Sequence, residues 1–133
     1  MEESRESKIW QRVRGGIDPA EELRQCLQKQ GELLGMYRSL SRRGGRGRQL
    51  YEQKSSQIAC LRGLLRVMTG QSVAPPRSPD APADLLRCHR AELEFLGQLK
   101  CWSREGELAT LFDALTDRQK CQCRLVLELL GTM

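Results

Sequence analysis

Between residues 70 and 82 the chain reads "GQSVAPPRSPDAP", and four of its five prolines lie there. Proline has no amide hydrogen to donate and disfavours helix at the residue before it, so this segment is expected to run extended. It divides the sequence into two halves, each carrying two stretches with apolar residues at helical spacing. In "DPAEELRQCLQKQGELLGMYRSLSRR", Asp18 is a natural N-cap, Pro19 suits the first helical position and Glu21 and Glu22 favour the first turn. Its stripe runs Leu23, Cys26, Leu27, position 30, Leu33, Leu34, Tyr37, Leu40, and "RRGGRG" is expected to end it. A second stripe, Leu50, Tyr51, position 54, positions 57 and 58, Leu61, Leu64, Leu65, Met68, stops at Gly70. The other half predicts a helix from about Asp84 to Trp102, a polar loop at "SREGE", and a helix from about Glu107 to Leu130.

Connection lengths set the expected architecture. Short links make antiparallel neighbours, so helices one and two pair, as do three and four. The second helix, at about 22 residues, is roughly 33 Å long. An extended 70–82 segment reaches about 43 Å, enough to cross the length of a bundle. The expectation is an all-α four-helix bundle of two hairpins joined by a crossover at 70–82, with residues 1–17 as a polar leader and 18–133 as one domain; a simple up-down bundle with a disordered loop at 70–82 is the alternative.

Scarce aromatics and few β-branched residues agree with helix over sheet. Lys and Arg number 22 against 17 acids, a net charge of +5, too small an excess to signal a nucleic-acid partner by itself. The arginines at 42, 43, 46 and 48 form only a short run without interleaved aromatics, and read as a solvated turn. No uncharged apolar run is long enough to span a bilayer, and "MEESRESKIW" does not resemble a signal peptide; a soluble, cytoplasmic protein with no membrane partner is expected. The six cysteines, at 26, 60, 88, 101, 121 and 123, include no CxxC pair and read as reduced small hydrophobes at or near helix interfaces. Cys121 and Cys123, two apart on a helix, point about 200° away from each other and cannot share a metal. With one histidine and no GxSxG or GxGxxG, a conventional enzyme is not expected.

Polar residues interrupt every inward stripe near its middle: Gln30 on the first helix, Lys54 and Gln57 on the second, His89 and Glu92 on the third, Gln119 and Gln122 on the fourth. The fourth stripe reads Leu108, Leu111, Phe112, Leu115, Gln119, Gln122, Leu125, Val126, Leu129. One residue from the first helix, an i/i+3 pair from the second, one from the third and an i/i+3 pair from the fourth is the layout of the di-iron carboxylate bundle. With Tyr37 seven residues after Gln30, and the runs "LRGLLRVMTG", "AELEFLGQL" and "FDALTDRQKCQCRLVLELLG", the chain resembles the ferritin-like, rubrerythrin-type family over nearly its whole length. The resemblance implies a ferritin-like fold, a di-iron cofactor and, for an active member, an iron-dependent oxidoreductase.

Against that family's ligands, only Glu92 matches. Glutamine stands at position 30, Lys54-x-x-Gln57 and Gln119-x-x-Gln122 stand where Glu-x-x-His is required, and no cofactor is expected. Two iron cations need several carboxylates and nitrogen ligands, and an ammonium repels them. Lys54 is instead expected to pair with Glu92, the glutamine amides completing a hydrogen-bonded layer in a non-catalytic structural or interaction protein. A homodimer through an exposed apolar helix face is a candidate assembly. The alternatives are a rearranged metal or redox site using His89, Glu92 and cysteines such as Cys60 or Cys121, and a basic helical adaptor for nucleic acid or a protein partner.

Overall fold

The structure is a computed structural model that describes residues 18–102 and 109–132. The leader, the "SREGE" loop, Leu108 and the expected first residues of the last helix lie outside them. Four helices follow in order, α1 (Pro19–Ser41), α2 (Gly45–Thr69), α3 (Leu85–Trp102) and α4 (Ala109–Gly131), with no strand among the described residues. None of these helices is long and apolar enough to cross a membrane.

The ends follow from local chemistry. Asp18 accepts a hydrogen bond from the Ala20 amide at 3.0 Å, capping α1 with Pro19 behind it. Gly70, at φ 72°, ends α2 in the left-handed conformation that glycine adopts without strain. Asp84 takes the Arg87 amide at 3.1 Å as α3 begins.

The break after α1 is shorter than "RRGGRG" suggests, because α2 already starts at Gly45. Gly47 explains why glycine belongs inside that helix. A Cβ there would lie 2.6 Å from the Leu40 carbonyl oxygen, so its absence lets the two helices of the hairpin meet closely. Arg46 and Arg48 consequently sit on α2, paired with Glu128 and Glu52 at 3.1 and 3.0 Å, rather than in a turn.

α1 packs most extensively on α2 and α3 on α4, with smaller contacts joining α2 to α4 and α1 to α3. The 70–84 segment holds no helix and lies on the bundle. Arg62 of α2 donates to the Val73 carbonyl at 3.0 and 2.8 Å. Farther along, Arg38 of α1 donates to the Ser78 carbonyl at 2.7 Å and to Asp80 at 2.6 Å, and Ser39 donates to the Ala81 carbonyl at 2.8 Å. Backbone of Arg77 and Pro79 presses on Gly31 and Gly35, where no side chain would fit. This cover buries Gly31 and Gly35, while Met36 is buried with its sulfur 3.8 Å from Cys88 Sγ of α3, and together they widen the buried face of α1 beyond its expected stripe.

The core forms two apolar clusters. One gathers Leu23, Leu27, Leu61, Leu65, Phe95, Leu99, Trp102 and Phe112; the other gathers Leu33, Met36, Tyr37, Leu50, Cys88 and Val126. Leu111, expected inside, is 41 % exposed; Thr116 and Cys123 are buried instead, so the inward face of α4 is rotated from the expected stripe. Leu34, Leu40, Tyr51, Met68, Leu125 and Leu129 are only half-buried and mark the stripe edges.

Candidate functional site: a buried polar layer

The polar positions that interrupt the stripes fall, by their places along the helices, between the two apolar clusters. Gln30, Lys54, Gln57, Glu92, Gln119 and Gln122 are all buried, none more than 2 % exposed. Polar atoms removed from water this completely require partners, since an unmatched amide costs a few kcal/mol and an unmatched charge more.

Lys54 is satisfied on three sides. Its Nζ donates to Glu92 Oε1 at 2.7 Å and to Gln30 Oε1 at 2.6 Å, and stands 4.8 Å from the centre of the Phe95 ring. An ammonium has three donors, and two oxygens with one aromatic face supply acceptors for them. Glu92 is matched in turn. Oε1 also accepts from Gln119 Nε2 at 2.9 Å, and Oε2 accepts from the Tyr37 hydroxyl at 2.7 Å. Gln119 Nε2 reaches the Glu92 carbonyl at 2.8 Å as well, while its Oε1 accepts from Gln57 Nε2 at 2.9 Å. All four helices thus contribute to one connected network around a single ion pair.

Two of the expected residues stand apart from it. Gln122 donates to the Leu50 carbonyl at 3.1 Å, and its Oε1, like that of Gln57, is buried without a hydrogen bond. His89 is half-buried, and its Nδ1 has no partner. It shares α3 with Glu92, but the carboxylate oxygens of Glu92 are already engaged by Lys54, Gln119 and Tyr37. Among the described residues, no three His, Cys, Asp or Glu side chains converge as a metal site would need.

Tyr37 is a member of the network that sequence spacing marked without assigning it a partner. It lies two turns beyond Gln30 on one face of α1, and that periodicity was the available signal. Burial first, then the neighbouring Glu92 carboxylate, push its hydroxyl well above the usual tyrosine range, so the proton stays on Oη and is donated.

The cysteines separate into two groups. Cys101 and Cys121 are exposed, away from the interfaces expected for them, because the outward turns of α3 and α4 carry them to solvent; Cys60 is half-buried. Cys123 faces inward while Cys121 faces out, as a helix demands. Burial raises Cys26 and Cys88 to about 12 and Cys123 to about 11, with Glu92 adding to the rise at Cys88 and Cys123. These three are protonated packing groups and not nucleophiles.

That distribution makes an alkaline prediction. A thiol whose proton is held more tightly in the folded state stabilises the fold fully below the ordinary value of 9.0. The contribution falls as the unfolded chain ionises and is gone once pH reaches about 12, where the folded Cys26 and Cys88 also ionise. Each of the two should steepen the decline by up to about 1.4 kcal/mol per pH unit in that window. Urea titrations at successive pH values, with Cys26→Ala and Cys88→Ala as references, measure it; a profile from pH 9 to 12 unchanged by either substitution would contradict the assignment.

Set against known protein families, curated proteins and solved structures, the chain matches none of them. The chemistry of the layer must therefore be judged from its own atoms. An ammonium, one carboxylate, a phenol and neutral amides make a connected arrangement of donors and acceptors centred on Lys54, with Gln57 Oε1 left unpaired at its margin, well suited to fixing how four helices meet.

Proposed function

We propose that this chain is a ferritin-like bundle whose di-iron site has been replaced by a lysine-centred polar layer, and that it serves as a non-catalytic structural or interaction protein. The observation that carries this is the Lys54 ammonium, buried among the positions of the ligand pattern and bonded to Glu92 and Gln30. A pair of iron cations does not fit such a donor set. Lys54 would repel them, Glu92 is the only carboxylate of the layer, and amides are poor replacements for the anionic and imidazole ligands.

The ferritin-like topology, with 70–82 as the crossover, has its own support. From Arg77 to Ala81 the segment contacts α1 at Gly31, Gly35, Arg38 and Ser39 in turn, so it advances in the same direction as α1. It then delivers α3 to begin where α1 ends. Buried ionic groups are weak sources of net stability but good sources of register, because any slip leaves a charge unmatched. Such a layer would hold the four helices in one alignment and leave the outer faces free for contacts.

Iron chemistry tests the proposal directly. Protein prepared without chelator should contain no stoichiometric metal, and ferrous iron added in air should be oxidised no faster than in buffer. Stoichiometric iron together with oxygen consumption would overturn it.

A further inference from the structure

The outward face of α3 carries two leucines on a line that the described residues leave uncovered. Leu86 and Leu93 are 51 % and 48 % exposed, and Arg90 and Gly97 are exposed beside them. At 100° per residue, positions 86, 90, 93 and 97 lie within about 60° of one another, a single line along the helix. Gly97 has open space around it, so no contact among the described residues requires a glycine there, although glycine weakens a helix interior. Arg90 and Glu94, one turn apart on the same flank of the stripe, have no ion-pair partner among the described residues.

These features are self-complementary. If a second α3 is laid antiparallel on the first about a two-fold axis near residue 92, each flank meets the same flank of its partner. Arg90 then faces Glu94 of the other copy, and Glu94 faces its Arg90. The same operation brings Leu86 to the gap at Gly97, a large residue against the one position with no side chain. Leu93 lies near the axis, covered by the aliphatic stem of the opposing Arg90. A parallel two-fold arrangement would instead bring opposite flanks together, leaving Arg90 and Glu94 without these partners, and set Leu86 against Leu86, with Gly97 facing only a second gap.

We propose that a second copy of this chain docks antiparallel on the Leu86–Arg90–Leu93–Gly97 stripe of α3, forming a two-fold homodimer. The isologous geometry supplies two identical charge pairs and two leucine-to-glycine contacts around a central leucine pair. It does not depend on the chemistry of the buried layer, so iron binding would leave it intact.

Sedimentation of the full chain at micromolar concentration tests it. The unaltered chain should be dimeric. Leu93→Glu should abolish the dimer while leaving the helical circular dichroism unchanged, and Arg90→Glu and Glu94→Arg should each abolish it by opposing like charges. The double variant Arg90→Glu/Glu94→Arg should restore it. The charge variants lie wholly on the surface and keep the test decisive if Leu93→Glu fails to fold. A monomeric unaltered chain, a dimer indifferent to these substitutions, or a charge swap that fails to restore association would each overturn the proposal.

Discussion

Replacing Lys54 by methionine is expected to cost about 3–5 kcal/mol of folding stability, because it leaves the Glu92 carboxylate buried without its cation. Lys54 and Glu92 are both 0 % exposed, so water cannot take over the lost contact. Gln30 Oε1 would lose its donor as well, while Tyr37 and Gln119 would remain on a carboxylate with nothing to balance it. Glu92→Gln should be costly for the converse reason, stranding the ammonium. The double variant Lys54→Met/Glu92→Gln removes both charges and should be far less damaged than the sum of the two single changes. Since a domain of this kind has only about 5–15 kcal/mol in total, either single variant should be marginal. Urea unfolding of all four proteins, taken as a double-mutant cycle, reads the coupling between the two residues. Additive losses would mean that the 2.7 Å contact does not function as an ion pair.

Tyr37→Phe offers a smaller companion effect within the same network. The hydroxyl donates to Glu92 Oε2, and deleting it leaves a buried anionic oxygen short of one hydrogen bond. How well such a network can be read from sequence depends on what decides each member. The positions of Gln30, Lys54, Gln57, Glu92, Gln119 and Gln122 were legible because helical periodicity alone fixes which face a residue occupies, and all six are buried. The bonds between helices are settled by approach distances that no single stripe encodes. Nothing in the local pattern of α1 directs Tyr37 to Glu92, and nothing in α4 rotates Leu111 outward. His89 shares the inward-side spacing of Glu92, yet joins no hydrogen bond at Nδ1. A periodic reading also cannot see what an aperiodic segment covers. Gly31 and Gly35 fall off the expected stripe of α1, and they are buried because the proline-rich connection lies on them.

That last contact makes Gly35 the position where the smallest possible side chain should matter most. A Cβ added there would overlap the Pro79 carbonyl oxygen, a backbone atom that no rotamer change can move aside. α1 cannot retreat without disturbing its packing on α2, including the close approach of Gly47 to Leu40. The connection must lift instead, and the bonds from Arg38 to Ser78 and Asp80 and from Ser39 to Ala81 would be strained with it. Gly35→Ala is therefore expected to destabilise the protein by about 1–3 kcal/mol, the usual range for overpacking a close contact. Gly63 supplies the control, since it is exposed on α2 with nothing near its missing Cβ. Gly63→Ala should stabilise by up to about 1 kcal/mol through helix propensity. The two variants add the same methyl group to a helix interior and should move the melting temperature in opposite directions. Limited trypsin digestion supplies a second readout: the Arg77 side chain is already exposed while its carbonyl is seated on Gly31, so a lifted connection would free the backbone there for the protease and hasten cleavage after Arg77 in Gly35→Ala alone. If Gly35→Ala raised the melting temperature as Gly63→Ala does, with Arg77 no easier to cut, the connection would not be seated on α1.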